Sequence, residues 1–227
     1  MGLESSKGMD GSPPPANPIS LKSLATLPGK SSRAAEAIRA LRTHIMARHV
    51  SEGHRALAIC AASLGSGCTF VATNLAVALS QIGVNTLLLD ADLRSPGVAA
   101  AFGYKSSKSD LRSALSSATD FNDCIERNIM PNLSILFSSG PAPNAQELLA
   151  GARFKSLIDF CLREFDATIV DTPPANRYSD ARRVSTVVGY SLIVAQRNKS
   201  HISDIKALAE HLKGDHANVI GTVLNEK

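Results

Sequence analysis

The sequence predicts an α/β fold, a mainly parallel β-sheet with helices on both faces. Three observations carry that prediction. Short apolar runs that read as strands recur along the chain, stretches with helical spacing lie between them, and short Gly or Asp turns join the two. Alternation of this kind builds βαβ units, whose crossovers keep the strands parallel and lay helices over both faces.

Residues 1–30 come first and differ from the rest. They are rich in Gly, Ser and Pro and offer too little apolar surface to offset the entropy of ordering, so they read as a flexible tail ahead of one domain over 31–227. Helix is expected at 32–49, strand at 56–61, helix at 69–82 and strand at 86–90. Further strands are expected at 133–137, 167–171, 190–195 and 218–223, with helices at 145–164 and 201–213 between them. No internal repeat is visible.

Residues 60–75, CAASLGSGCTFVATNL, carry the chemistry of the first strand end. An apolar strand runs into Gly65 and Gly67, then Cys68 and Thr69, and then a helix. This is the layout of a P-loop, whose backbone N–H groups and helix N-terminus wrap phosphates while its Ser/Thr hydroxyl holds Mg²⁺. A P-loop has lysine where this chain has Cys68. The loop alone is weak evidence, and two acidic strand ends strengthen it. VNTLLLDADLR (84–94) ends in Asp90 and Asp92 with Arg94 behind them, and DATIVDTPP (166–174) ends in Asp171, Thr172 and a rigid Pro pair. Continuous apolar runs ending in Asp are what a parallel sheet gives when its carboxyl ends form the site. Such carboxylates hold Mg²⁺ and its waters, or accept a proton from an attacking hydroxyl. The competing structural role is helix capping, which Asp also favours.

Composition limits the alternatives. A chain of 227 residues with 44% hydrophobic content buries one large core and hardly two. Cys60, Cys68, Cys124 and Cys161 show no C-x-x-C spacing, which argues for free thiols and against a disulfide framework or a zinc site. No stretch reads as a signal peptide and no run approaches the roughly 20 apolar residues that cross a bilayer, so a cytoplasmic chain that meets a membrane only through a partner is expected. Net charge is +4, and the basic residues gather at the first helix, where Arg33, Arg39, Arg42, Arg48 and Arg55 outnumber Glu36 and Glu52. Aromatic interleaving is missing, and Glu/Arg spacing suits helix pairing better than nucleic-acid binding.

In order and wording, these motifs resemble the bacterial tyrosine autokinases, or BY-kinases, of the CpsD/CapB and Wzc type, which serve capsule and exopolysaccharide assembly. The resemblance runs from about residue 32 to the end. EAIRALRTHI (36–45) is similar to the family's E-x2-R-x2-R signature at Glu36, Arg39 and Arg42; LLLDADLRSP matches its second Walker motif; SSGPAPNAQELLAGARF (138–154) resembles its Gly-Pro-x-Pro-Asn stretch; TIVDTPP matches Walker B; and GTVLNE (221–226) resembles its last strand.

The resemblance implies a P-loop NTPase-like fold and ATP or ADP with Mg²⁺ as cofactor. It places the nucleotide at Gly65, Gly67, Cys68, Thr69 and Asn225, with Asn225 against a nucleobase or as a structural loop residue. Thr69, Asp92 and Asp171 would hold Mg²⁺, and Asp90 would be the catalytic base. Glu36, Arg39 and Arg42 would join copies into a homo-oligomer, although their i, i+3, i+6 spacing equally fits a solvated salt-bridged face. A membrane polysaccharide co-polymerase of the chain-length-determinant type is the implied partner.

Two departures bear on activity. Replacing the lysine removes a charge-assisted phosphate contact; Cys68 reads foremost as a small neutral filler, the alternative being a thiol that the helix N-terminus makes easier to ionise, adding repulsion. Tyr104, Tyr178 and Tyr190 all lie inside the domain, and no terminal cluster of acceptor tyrosines follows them. The leading reading is therefore a degenerate BY-kinase homologue with weak or absent nucleotide binding and a structural role in polymer assembly. The second is an active tyrosine autokinase whose cation comes from Arg94, Arg177 or a neighbouring chain. The third is a ParA/MinD-type positioning ATPase, disfavoured because that group's own loop lysine is missing and the chain ends before any amphipathic membrane helix.

Overall fold

A seven-stranded sheet forms the centre of the computed structural model, which describes residues 24–26, 32–104 and 110–226. The strands are β1 (Ala56–Cys60), β2 (Thr86–Asp90), β3 (Glu126–Met130), β4 (Leu133–Leu136), β5 (Ala167–Asp171), β6 (Tyr190–Gln196) and β7 (Asn218–Asn225). They lie in the order β3-β4-β2-β5-β1-β6-β7, and every neighbouring pair is parallel except β3 with β4. The predicted α/β class is the observed one.

Alternation along the inner strands divides the core. Leu57, Ile59, Leu88, Ile169 and Leu192 face one layer, containing α1 (Arg33–Arg48), α2 (Cys68–Ser80) and α3 (Val98–Phe102). Ala58, Leu87, Leu89, Val170 and Ile193 face the other. That second layer holds α4 (Leu111–Ser116), α5 (Phe121–Cys124), α6 (Ala145–Ala150), α7 (Ala152–Glu164), α8 (Asp180–Val188) and α9 (Ile202–Gly214). Because β1, β2 and β5 are apolar on both faces and buried throughout, they read in the sequence as unbroken runs.

The structure departs from the sequence reading in several places, beginning with the short helices α3, α4 and α5, which the spacing does not predict. Leu24 and Thr26, assigned to the tail, are each 1% exposed, and the backbone N–H groups of Ala25 and Thr26 donate to the Asn74 side-chain oxygen at 2.7 and 3.2 Å; the rest of that assigned tail lies outside the described residues. The helix expected over 145–164 divides at Gly151, whose backbone is extended, giving α6 and α7. Strand β3 had been missed because Arg127 and Asn128 are exposed and polar, as an edge strand permits. Helix α8 had been missed too, although Ala181, Val184, Ser185 and Val188 carry i, i+3, i+4, i+7 spacing and are buried.

Candidate functional site

Strand order brings the chemistry together. β5 lies between β1 and β2, in register such that Ile59 and Asp90 both pair with Asp171. The turn after β1 and the acidic ends of β2 and β5 thus share one edge of the sheet, the carboxyl edge where parallel α/β sheets bind ligands.

The loop between β1 and α2 is shaped by two glycines in the left-handed region, Gly65 (φ 76°) and Gly67 (φ 94°). Both take a conformation that L side chains rarely adopt. A Cβ on Gly67 would run into the Asn225 side-chain amide, and one on Gly65 would stand 2.5 Å from Lys199 Nζ. Ser66 Oγ donates to the Ser63 carbonyl at 2.8 Å and Asn225 Nδ2 donates to the Ser66 carbonyl at 3.0 Å, bracing the turn from inside and from β7. The loop encloses a hollow of about 200 Å³ lined by Gly65, Ser66, Gly67, Cys68, Thr69, Asp92, Ser95, Thr172 and neighbouring loop residues. Helix α2 begins at its floor, so unpaired N–H groups and the positive helix end point to it.

Thr69 and Asp171 meet directly: Thr69 Oγ1 donates to Asp171 Oδ2 at 2.6 Å. Asp171 is fully buried, and its Oδ1 has no hydrogen-bond partner. Burial pushes its carboxyl up to about 7, with the Thr69 bond opposing and the Asp92 charge adding to the rise. A buried carboxylate oxygen without a partner beside a hydroxyl is an oxygen-donor set that fits a hard cation such as Mg²⁺. Among the described residues no three His, Cys, Asp or Glu side chains converge into a metal cage. Mg²⁺ does not need one, since it is commonly held by one or two carboxylates together with phosphate and water. Asp92 lines the hollow, with Oδ1 accepting from the backbone N–H of Arg94 at 3.0 Å and Ser95 at 2.9 Å.

Asp90, like Asp171, is fully buried and does not line the hollow, but both of its oxygens are engaged, one accepting from Asp92 N at 3.3 Å and the other from Val98 N at 3.1 Å. Burial and the adjacent Asp171 raise its pKa well above the carboxylate range. Both oxygens are thus engaged in fixing the β2–α3 connection.

At Cys68 desolvation, reinforced by Asp171, pushes the thiol pKa well above its usual value, which favours the neutral filler over a thiolate eased by the helix N-terminus. The sulfur packs as a partly buried apolar group beside Val71 and its neighbours.

The cations named from the sequence are placed elsewhere. Arg94 forms an ion pair with the buried Asp180, Nε to Oδ2 at 2.8 Å, and its guanidinium lies 4.7 Å from the Tyr178 ring centroid. Arg177 is exposed and does not line the hollow. Glu36, Arg39 and Arg42 lie on α1, which packs on α2. Glu36 pairs with Arg39, while Arg42 Nη1 donates to the Ala78 carbonyl at 3.3 Å. Lys199 had gone unnoticed, since a lysine in a turn carries no local sign that strand order will set it beside Gly65.

Comparison with known proteins agrees with this geometry. A family model described as an AAA domain matches residues 54–218. The tyrosine-protein kinase CpsD of Streptococcus agalactiae is 28% identical over 197 residues, covering 87% of this chain and 85% of CpsD. The tyrosine-protein kinase Etk of Escherichia coli K12 is 31% identical over 192 residues, 85% of this chain but only 26% of Etk. Among solved structures, the chimerical protein CapA2B2 superposes with a TM-score of 0.81 at 30% identity, over 91% of this chain and 90% of that one. The cell division ATPase MinD of Pyrococcus furiosus, at 23% identity and a TM-score of 0.68, shares the fold. With a matching model across most of its length and relatives of one kind on either side of it, the chain belongs to the AAA-domain P-loop proteins and, within them, to the bacterial tyrosine-kinase (BY-kinase) family.

Proposed function

We propose that this chain is a degenerate BY-kinase homologue that binds Mg-ADP or Mg-ATP in the β1–α2 hollow and serves capsule or exopolysaccharide assembly chiefly as an architectural component. The observation that supports the reading is a cysteine, Cys68, at the position of the phosphate-binding lysine, in a loop shaped by Gly65 and Gly67 beside the Thr69–Asp171 hydrogen bond. In this reading Thr69, Asp92 and Asp171 hold Mg²⁺, which neutralises phosphate charge. The loop N–H groups grip the phosphates and Asn225 keeps the loop in shape. A cytoplasmic location, a homo-oligomer and a membrane polysaccharide co-polymerase as partner belong to the same proposal. No helix among the described residues is long and apolar enough to cross a membrane, so contact with one would run through that partner.

Loss of a positioned cation should cost catalysis more than binding, because charge on the transferring phosphoryl group develops in the transition state. Asp90, the base expected from the family pattern, is turned to backbone N–H groups, which favours the architectural reading further. Titration of the full chain with Mg-ADP provides the test. Binding is expected, and Cys68→Lys should strengthen it by about 1.5–3 kcal/mol, the scale of one charged hydrogen bond. Mass spectrometry of protein expressed with its partner should find no phosphate on Tyr104, Tyr178 or Tyr190. Phosphotyrosine that vanishes in Asp92→Asn would replace this reading with that of an active autokinase.

A further inference from the structure

We propose that Lys199 supplies, from the turn after β6, the phosphate-binding cation that the β1–α2 loop lacks. The inference rests on the reading of that loop as a nucleotide site and adds a residue to it.

Strand order explains how a lysine distant in sequence arrives there. β6 pairs with β1 in parallel, so the turn leaving β6 emerges beside the loop leaving β1. That turn is tightly made. The backbone N–H groups of Lys199 and Ser200 donate to the Gln196 carbonyl at 3.2 and 3.0 Å, Ser200 Oγ accepts from Gln196 N at 2.9 Å, and Asn198 takes a left-handed φ of 60°. Arg197 N donates to the Asn225 carbonyl at 2.9 Å, and the Asn225 side chain in turn braces Ser66. The turn and the phosphate loop are thereby held by the same residue.

The ammonium rests on the loop itself. Its Nζ would lie 2.5 Å from a Cβ on Gly65, so the ammonium sits directly over the loop backbone at that glycine. Among the described residues Lys199 has no carboxylate within ion-pair distance, whereas its turn neighbour Arg197 pairs with Glu226. Lys199 lies beside Gly65 in the loop that leads into α2, whose N-terminal N–H groups are electropositive. A cation placed among donors is completed by an anion, and the chemistry that fits donors, helix end and ammonium together is a di- or triphosphate. Lys199 flanks the hollow and does not line it. Rotation about its four-carbon stem, with no backbone movement, brings three donors to a bound phosphate.

The experiment is a double-mutant cycle on the full chain, with Mg-ADP and adenosine as probes. Lys199→Ala should weaken Mg-ADP binding by about 10- to 100-fold, the range of one charge-assisted contact, and leave adenosine binding unchanged. Lys199→Arg should retain most of the affinity. Cys68→Lys should strengthen binding more in the Lys199→Ala background than in the wild type, since the two cations serve one anion. Circular dichroism of each variant confirms that this exposed position leaves the fold intact. Equal Mg-ADP affinity in wild type and Lys199→Ala would overturn the role of Lys199 while leaving the nucleotide site standing. Binding that appears only after Cys68→Lys would also overturn it. Absence of binding in every variant, Cys68→Lys included, would overturn the nucleotide reading itself.

Discussion

Cys68 alters the charge of the phosphate loop and leaves its shape intact. A lysine there would project an ammonium into the hollow, whereas the partly buried thiol packs on the core and desolvation raises its pKa. Asp171 is the complementary residue, a buried carboxyl whose Oδ1 waits for a partner. Asp171→Asn should retain the Thr69 contact through its side-chain oxygen but lose affinity for Mg²⁺. The measurable outcome is an ADP affinity that no longer responds to Mg²⁺, set against a clear response in the wild type. His49 gives a residue-scale prediction for stability. It is 3% exposed, its Nε2 lies 3.1 Å from the Ala56 carbonyl, and its Nδ1 is buried without a partner. Burial lowers its pKa below 6.5, partly offset by the Ala56 bond, and nearby His54 lowers it further. A folded-state pKa below the unfolded one means that stability is complete above pH 6.5 and is lost as pH falls toward the folded value. Denaturant melts between pH 7.5 and 5.5 should show that decline, no steeper than about 1.4 kcal/mol per pH unit for one proton. His49→Gln should flatten it.

At the scale of elements, α1 is where the two sequence readings of Glu36, Arg39 and Arg42 separate. Arg39 and Glu36 make a partly exposed i, i+3 pair, a class of contact worth a few tenths of a kcal/mol. Arg42 has a local task, donating to a carbonyl in the last turn of α2, where a cation suits the helix dipole. Charge reversal should therefore act differently at the two positions. Arg39→Glu is expected to leave the melting midpoint nearly unchanged while weakening self-association or partner binding, as followed by light scattering with partner present. Arg42→Glu should in addition lower stability by about 1 kcal/mol. Unchanged assembly in both variants would remove α1 from the proposed interface. The acidic strand ends were legible in the sequence because β2 and β5 are buried on both faces and so appear as continuous apolar runs. Strand β3 and helix α8 were not, the first because an edge strand tolerates polar residues, the second because it is short and follows the irregular segment after Pro174. Gly151 broke a helix that spacing alone had drawn as continuous.

For the whole molecule, the clearest tertiary bond between distant segments is Asn74, fully buried in α2, whose side-chain oxygen accepts from both Ala25 and Thr26 while Nδ2 donates to the Phe70 carbonyl at 2.9 Å. Asn74→Ala leaves the buried Thr26 N–H and the partly buried Ala25 N–H without that acceptor and should cost about 1–3 kcal/mol in a denaturant melt. Protease sensitivity near Thr26 should rise with it.

The sequence by itself determined the α/β class, the glycine loop, and the presence of Thr69, Asp92 and Asp171 at strand or helix ends. Each of these is written in local spacing, in unbroken apolar runs and in the residue types that turns and helix starts require. What it left undecided was which of these ends would face one another and in what charge state. Placing β5 between β1 and β2 set Asp171 against Thr69 and turned Asp90 inward, and burial raised the Cys68 thiol pKa against the pull of the helix end. Placing β6 beside β1 carried Lys199 across 134 residues of sequence to Gly65. Sheet order and desolvation depend on the whole chain packing at once, so no local pattern could have announced them.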